Sequence, residues 1–398
     1  MFKFSFNIDD EDDTVVVAPS ADKSVSAASS STPRAPPQPS KRISLTDLLA
    51  TLPENFSYSP LAHPLGGAPL LRRDLYDARF QLAQGEAASE AYVDADTDLI
   101  PGTYEGGLKS WEGGVDLVEV IARGVGSGRS GKGKAAAGSE EADVGRWVRG
   151  ARVLEVGCGT GLPSAYLLRS LLASPEASTT RTTLHLQDYN LPVLSLVTLP
   201  NLVLAALPSL PASARAAAET AADEDEEDDD DDEAPRRPFD PTRAGTLDVT
   251  PALVEAFTAL LEERGIDLVF TYGDWSGMAV DLAGEAKYNL VLTAETIYAE
   301  ESVGPLIDVL RGSVAPGAAK AKPVALEDSL EALSVGDWSK EPLVVSDPVI
   351  LVAAKVLYFG VGGGLDSFVA RVEELGGWTT RVHDWVRGVG RAVVRIGW

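Results

Sequence analysis

A short glycine-rich segment, residues 152–163, constrains the fold of this 398-residue chain more than any other feature. Its first part, 152–156, predicts a short apolar strand, and an apolar helix is predicted to follow it up to Leu172. The turn between them contains three glycines, Gly157, Gly159 and Gly161. Such a unit lets a ligand lie against bare backbone at a helix N-terminus. Leu162 stands where a dinucleotide-binding fingerprint has its third glycine, so the segment predicts another kind of ligand.

The rest of the chain, from residue 150 onward, alternates strand-like and helix-like segments, which predicts a doubly wound α/β domain. The predicted strands are 152–156, 182–187, 266–272, 287–293, 350–358, 378–386 and 391–397. The predicted covering helices include 191–207, 251–264 and 302–312. Seven strands in this order favour a mostly parallel sheet whose last strand runs antiparallel.

The domain so predicted covers residues 91–398, with flexible insertions at about 124–143 and 210–245. Residues 1–90 are predicted to be an N-terminal arm that is largely disordered, because much of it is rich in Ser, Ala and Pro. A short aromatic segment at 2–8 alternates with polar residues and could dock on a sheet edge.

The net charge of −26 is unevenly distributed, because residues 223–233 are eleven consecutive acids. A block of this kind repels itself and predicts a disordered surface insertion. The remaining chain is still acidic, so direct binding to a nucleic-acid backbone is not expected. A basic protein partner suits this charge better.

The few cysteines and histidines argue against a disulfide-bonded or metal-binding protein. The single cysteine, Cys158, excludes an internal disulfide framework and fits a reducing compartment. The three histidines, His63, His185 and His383, have no metal-ligand spacing, so no metal is expected. No run of eighteen apolar residues exists, and the N-terminus lacks a signal-peptide pattern, so we expect no membrane span. These absences favour the cytoplasm, with nuclear or nucleolar entry open. The sequence does not indicate an oligomeric state, so a monomer is the default.

Polar and glycine residues follow each of the first five predicted strands, where ligands bind in open α/β sheets. The segments are the turn 157–161, Gln187–Asn190, Gly273–Ser276, Thr293–Tyr298 and Tyr358–Gly364. Asp188 suits the ribose hydroxyls of adenosine, although an Asp there could simply cap the next helix. The acid–aromatic pair Asp274 and Trp275 suits an adenine ring. Upstream, Trp111 could close over the ligand or pack into the core.

These segments, with Val153–Pro163 and 98–112, resemble the protein-histidine N-methyltransferases that modify a large-subunit ribosomal protein. The resemblance implies a Rossmann-like, seven-strand sheet that binds S-adenosylmethionine (SAM). It implies Glu155 near the methionine part of SAM, with the three turn glycines around the cofactor. The other implied SAM contacts are Ser110, Trp111, Glu112, Gln187, Asp188, Tyr189, Gly273, Asp274, Trp275 and Thr293. Gly113 and Gly114 depart from the family pattern, which has a cysteine and a small polar residue there.

The acceptor implied by the resemblance is one histidine, methylated on the ring nitrogen far from the backbone. Attack on a methyl group makes the imidazole cationic, so a carboxylate on its other N–H would stabilise the transition state. Glu295 is the candidate for that role, with Tyr298 beside the ring; the alternative assigns Asp274 to the ring and leaves Glu295 structural. Two other functions stay open, a lysine methyltransferase of the same fold and a SAM-binding chaperone for a ribosomal protein.

Overall fold

The computed structural model describes residues 39–61, 68–84, 107–126, 139–175, 180–216, 219–220, 239–282, 284, 286–315, 342–358, 363–386 and 388–398. Its centre is an eight-stranded sheet in the order β1-β8-β5-β4-β9-β10-β12-β11. The strands of this sheet are β1 (Lys41–Ile43), β4 (Arg152–Val156), β5 (Thr182–Asp188), β8 (Ile266–Tyr272), β9 (Leu290–Ala294), β10 (Val349–Lys355), β11 (Trp378–Trp385) and β12 (Arg391–Gly397).

The directions of the strands agree with the α/β prediction. β8, β5, β4, β9 and β10 are parallel neighbours, and β12 pairs antiparallel with β10. The mostly parallel sheet with an antiparallel last strand is therefore confirmed, and all seven predicted strands are present with ends shifted by three residues or fewer. The eighth strand, β1, was not predicted; it adds antiparallel to the edge strand β8.

The helices cover the sheet over two hydrophobic cores. Their bounds are α1 (Leu45–Leu49), α2 (Leu75–Gln84), α3 (Glu112–Gly126), α4 (Ser139–Val148), α5 (Leu162–Ala173), α6 (Leu191–Val193), α7 (Leu199–Ala206), α8 (Ala212–Ala216), α9 (Pro251–Glu263), α10 (Trp275–Leu282), α11 (Glu300–Ser313) and α12 (Leu365–Glu374). Side chains from α3, α4, α5, α7 and α9 build one core. Those from α10, α11 and α12 build the other. Alternate residues of β4, such as Val153 and Leu154, contribute to different cores, as expected for a strand buried on both faces.

The N-terminal residues correct the predicted domain boundary. A second, antiparallel sheet has the order β3-β2-β7-β6. Its strands are β2 (Asn55–Leu61), β3 (Leu70–Arg73), β6 (Glu219–Thr220) and β7 (Gly245–Asp248). Phe56 and Leu70 of this sheet are buried in the same core as the main helices. Residues 35–398 form one compact unit, so the described part of the 1–90 arm is folded and belongs to the main domain. The insertion predicted at 124–143 is shorter than expected, because residues 124–126 belong to α3 and residues 139–143 belong to α4.

The segment Leu191–Ser209 forms one continuous helical rod that contains a π-helical turn at Leu194–Thr198 and ends in a 3-10 turn at Leu207–Ser209. By length and composition alone it could cross a membrane, but 78% of its apolar window is buried inside the fold. It packs as a core helix beside α5.

Several predictions concern residues outside the described part of the chain. These are the aromatic segment 2–8, the acidic run 223–233, the segment 98–106, His63 and residues 359–362.

Candidate active site

The site lies at the edge of the sheet where the five parallel strands end. The turn after β4 has three left-handed glycines, with φ of +60° at Gly157, +50° at Gly159 and +64° at Gly161. Side chains rarely adopt this conformation, so glycine is required for the backbone to turn this sharply. The space is also occupied, because a Cβ on Gly157 would lie 2.5 Å from Cγ2 of Thr296. The predicted strand–glycine turn–helix unit is therefore present.

Gln187, at the end of β5, ties three strand ends together. Its Oε1 accepts hydrogen bonds from the backbone N–H of Gly157 at 3.1 Å and from the indole N–H of Trp275 at 2.8 Å. Its amide nitrogen donates to the carbonyl of Gly273 at 3.0 Å. The side chain is fully buried, so it shapes the edge of the site through its neighbours.

Asp188 follows Gln187 and faces the glycine turn. Its Oδ2 accepts the N–H of Gly159 at 2.9 Å, and its Oδ1 accepts the N–H of Asn190 at 3.0 Å. These two bonds hold the carboxylate beside the glycine turn. Asp188 therefore stabilises the backbone beside the glycine turn, while the cap position of the next helix is Asn190; the contact of Asp188 with ribose hydroxyls stays a prediction.

Glu155 lies beneath the turn and is buried. Its Oε2 accepts both the backbone N–H of Ser164, at 2.9 Å, and the Ser164 hydroxyl. It thereby satisfies one of the first N–H groups of α5, which have no partner within the helix. Burial raises the pKa of Glu155 to about 7; the bonds from Ser164 oppose this rise, and the charge of Asp188 adds to it.

A layer of residues that sequence reasoning missed supports the turn from below. Thr198, the last residue of the π-helical turn, donates to the carbonyl of Gly159 at 2.6 Å. Asn201 donates to the carbonyl of Thr160 at 2.8 Å and accepts the N–H of Arg73 at 2.7 Å. Two polar side chains of this irregular helix, Thr198 and Asn201, thus bind the glycine turn. π-helical turns are often found at functional sites. A Thr and an Asn within a long apolar helix were the only sequence signal for this layer.

The residues after β8 form the far end of the site. Asp274 accepts the N–H of Ser276 at 2.8 Å and so stabilises the first turn of α10. Gly273, with φ of +105°, donates its N–H to the carbonyls of Asp188 and Tyr189, both at 3.1 Å. Trp275 lies next to Gly157. The structure therefore brings Gly273, Asp274, Trp275 and Tyr189 to the Asp188 side of the edge.

Glu295 lies at the other side, after β9. It is the one non-glycine residue with positive φ, +58°, among the described residues. Its backbone N–H donates to the carbonyl of Ala353 at 2.9 Å. Its Oε2 accepts the hydroxyl of Tyr358 at 2.5 Å, while its Oε1 is buried without a partner in the described part of the chain. A strained backbone and an unpaired buried oxygen are each costly and are typical of functional positions.

Glu295 and Asp274 cannot serve the same acceptor ring. Three strand spacings separate β8 from β9 in the sheet, about 14 Å in all. The structure therefore separates the two carboxylates that the sequence offered as alternatives.

The charges around Glu295 come from three elements. Burial raises its pKa, whereas the Tyr358 hydrogen bond and the charge of Lys355 lower it; Glu112 and Asp116 of α3 raise it further. Asp116 is itself paired with Arg391 at the start of β12. Glu295 is thus a carboxylate held in an environment of mixed charge.

The residues at the start of α3 face the same edge. The Lys109 and Lys355 ammonium groups lie 4.8 and 4.9 Å from the centre of the Trp111 ring. Ser110 donates to the hydroxyl of Thr160 in the glycine turn, at 3.4 Å. Trp111 is half-buried rather than a core residue. Glu112 is exposed at the first position of the helix.

The remaining predicted residues connect β9 with the residues after β10. Thr293 is fully buried and donates to the carbonyl of Val156 at 2.8 Å, so it joins β9 to the glycine turn. Tyr298 is half-buried, and its carbonyl accepts the N–H of Gly363 at 3.2 Å. Tyr358 was predicted only as part of a glycine-rich segment, and its hydrogen bond to Glu295 was not foreseen.

The donor set of this edge fits SAM. Three neighbouring strand ends carry the glycine backbone of the turn, the acid Asp188, and the acid–aromatic pair Asp274 and Trp275. The unpaired oxygen of Glu295 lies at the fourth. Together with the topology of the sheet, this arrangement defines a SAM-dependent methyltransferase.

The resemblance to protein-histidine methyltransferases is confirmed by curated relatives. The chain is 27% identical to histidine protein methyltransferase 1 of Saccharomyces cerevisiae, over 80% of this chain and 72% of that protein. It is 28% identical to histidine protein methyltransferase 1 of Schizosaccharomyces pombe, over 83% of this chain and 76% of that protein. A bovine homologue is 27% identical over 78% of this chain and 60% of its own length.

The comparison with solved structures gives matches at low TM-scores. An rRNA methyltransferase, AviRa from Streptomyces viridochromogenes, matches at 15% identity and a TM-score of 0.30, covering 70% of this chain and 91% of its own. An O-methyltransferase from Bacillus cereus in complex with SAH matches at 10% identity and a TM-score of 0.31, covering 78% and 97%. No protein-family model matches the chain.

Proposed function

We propose that this protein transfers the methyl group of SAM to a ring nitrogen of a histidine in a protein substrate. The histidine acceptor is supported by the names of the two yeast relatives, each of which matches most of this chain. The observation in the structure that carries the proposal is the buried, unpartnered Oε1 of Glu295 at the carboxyl end of β9. A buried acceptor without a donor costs free energy unless a ligand supplies the donor. An imidazole N–H is a donor of the right kind.

The chemistry needs little covalent help from the protein. SAM supplies an electrophilic methyl group on a sulfonium. A neutral imidazole, whose ordinary pKa is about 6.5, already has one lone pair at neutral pH. The protein therefore has to select the tautomer, direct the correct nitrogen and keep water out.

Glu295 performs the selection in this proposal. Its Oε1 accepts the N–H of one ring nitrogen, so the other nitrogen presents its lone pair to the methyl group. The N–C bond forms as the S–C bond breaks, and the ring becomes a cation that still carries its N–H. The carboxylate stabilises that cation, and the proton leaves to Glu295 or to water after transfer.

The other site residues act on binding and placement. Asp188 would accept the ribose hydroxyls, Asp274 and Trp275 would contact adenine, and Glu155 and the glycine turn would lie beside the methionine part. Ser110, Trp111, Glu112 and Tyr189 would line the same cavity, and Tyr298 would form a wall for the ring. The predicted use of the tele nitrogen follows from the family resemblance.

The protein substrate in this proposal is a basic large-subunit ribosomal protein. The resemblance implies it, and the net charge of −26 favours a basic partner. The enzyme would then work in the cytoplasm, with nuclear entry where ribosomes assemble.

The decisive experiment incubates the purified protein with methyl-labelled SAM and ribosomal proteins from cells that lack the enzyme. Acid hydrolysis of the labelled band should give methylhistidine. Methyllysine would keep the fold and cofactor but contradict the acceptor, since lysine, with a pKa of about 10.4, must first lose a proton. Label in a protein outside the large subunit would contradict the proposed substrate alone.

The role of Glu295 has its own test. Glu295→Gln should bind SAH as the wild type does yet lower kcat by about ten- to a thousandfold. Glu300→Gln is a matched control, because Glu300 is exposed at the start of α11. Unchanged turnover in Glu295→Gln would remove Glu295 from the mechanism.

A further inference from the structure

Tyr358 is in direct contact with the Glu295 carboxylate. The Tyr358 hydroxyl donates to Oε2 of Glu295 at 2.5 Å and accepts the backbone N–H of Lys355 at 3.3 Å. The hydroxyl has a single proton, and it donates this proton in the hydrogen bond to Oε2. Because Lys355 is the last residue of β10, the phenol oxygen is anchored to the sheet itself.

The rest of Glu295 is fixed as well. Its backbone is held in the left-handed region by the bond to Ala353, and its side chain approaches Gly113 so closely that a Cβ there would lie 3.1 Å from Oε1. A side chain at position 113 would press on this oxygen. The two glycines that depart from the family pattern at 113 and 114 thus include one whose missing side chain leaves room beside Oε1.

We propose that Tyr358 is a positioning residue that determines which imidazole nitrogen is methylated. Because Tyr358 already donates to Oε2, Oε1 is the carboxylate oxygen without a partner and is therefore the favoured acceptor for the ring N–H. This inference rests on the proposed histidine acceptor. With a single acceptor position, the ring binds in one orientation and a single methylhistidine isomer forms. Without the hydroxyl, both oxygens can accept, and the ring gains a second orientation.

The charged groups that face Glu295 predict an accompanying change in pH dependence. These groups are Lys355 on β10, Glu112 and Asp116 on α3, and Arg391 on β12. The Tyr358 hydrogen bond lowers the pKa of Glu295 against the rise caused by burial. Removing the hydroxyl therefore raises that pKa, and the acid limb of the kcat profile moves to higher pH.

The test is Tyr358→Phe in the full-length protein, assayed with SAM and the protein acceptor identified by labelling. Wild type should give one methylhistidine isomer, and the variant should give a measurable fraction of the second. We expect kcat to fall about tenfold, the KM for SAM to stay within about twofold, and the acid limb to move upward. Tyr288→Phe is the matched control, because it removes another buried hydroxyl, bonded to His185 at 2.6 Å. That control should lower the melting temperature without changing the isomer ratio.

The outcomes separate the two proposals. If wild type forms no methylhistidine, the proposed function fails. If wild type forms one isomer, and Tyr358→Phe forms the same single isomer with the wild-type pH profile, only the positioning role fails. Should Tyr358→Phe not fold, a fluorinated tyrosine at position 358 replaces it. That more acidic hydroxyl should keep the single isomer and move the acid limb to lower pH, and an unmoved limb would overturn the inference.

Discussion

Arg391 and Asp116 form a two-point ion pair between elements 275 residues apart in the chain, with Nε–Oδ2 at 2.7 Å and Nη2–Oδ1 at 3.2 Å. The pair joins the start of β12 to α3, and Asp116 is buried. It fixes the antiparallel strand beside β10 at the edge that contains Glu295.

Removing Arg391 should leave a buried carboxylate without its partner. We expect Arg391→Ala to lower the free energy of unfolding by about 3 kcal/mol in urea titrations. Arg371→Ala removes an exposed pair with Glu374 and should cost less than about 1 kcal/mol. Equal losses in the two variants would show that the Arg391–Asp116 pair contributes no more than a surface pair.

Glu155 should make stability depend on pH. Its pKa in the folded protein is about 7, above the ordinary value of 4.5. Between these values the unfolded chain has lost a proton that the folded protein keeps, so stability falls as pH rises from 4.5 to 7. The slope is at most about 1.4 kcal/mol per pH unit. Glu155→Gln removes this contribution, so its stability relative to wild type should rise by about 1–3 kcal/mol between pH 5 and pH 8.

The exposed Glu255 on α9 offers a control for that measurement. Glu255→Gln should follow the wild-type curve at both pH values. A Glu155→Gln curve parallel to wild type would mean that the carboxyl titrates alike in the folded and unfolded chains.

Gly157 and Gly265 allow steric contact to be separated from backbone conformation. Both have a left-handed backbone, with φ of +60° and +62°. A Cβ added at position 157 would contact Thr296, whereas a Cβ at position 265 would have no atom within 4 Å. Gly265→Ala should cost about 1–2 kcal/mol for the conformation alone. Gly157→Ala should cost about 1–3 kcal/mol more, because Thr296 has to move. SAH titration should show weaker binding for Gly157→Ala but not for Gly265→Ala. Equal SAH affinities of the two variants would show that the glycine turn does not contribute to cofactor binding.

Gln187→Leu should affect both stability and cofactor affinity. The substitution leaves the N–H groups of Gly157 and Trp275 and the carbonyl of Gly273 without their partner. We expect a loss of about 2–4 kcal/mol in unfolding free energy and a roughly tenfold higher Kd for SAH. Ser313→Ala removes a buried hydrogen bond to the carbonyl of Leu310 at the end of α11, next to Tyr288 before the start of β9, and should leave the Kd unchanged. A wild-type Kd in Gln187→Leu would show that the three strand ends stay in place without it.

The strands and the glycine turn were predictable because their signals are local. The buried parallel strands β9 and β10 are nearly continuous apolar runs, and Gly157, Gly159 and Gly161 mark a turn that other residues rarely adopt. The edge strand β1 escaped prediction because three residues are too few to show a period and its neighbours are rich in Ser and Pro. The N-terminal residues fold because Phe56 and Leu70 pack against the main core. No local sequence pattern encodes such a contact between distant segments.

The sequence by itself determined the α/β class, the order of the strands along the chain and the set of polar residues that follow them. It did so because periodicity and glycine act over a few neighbouring residues. Only the tertiary structure decided which of those residues meet. It paired Tyr358 with Glu295 across 63 residues, left one oxygen of Glu295 unpaired, and separated Asp274 from it by three strand spacings. Those outcomes depend on strand order within the sheet and on burial, and both arise only when distant segments pack together.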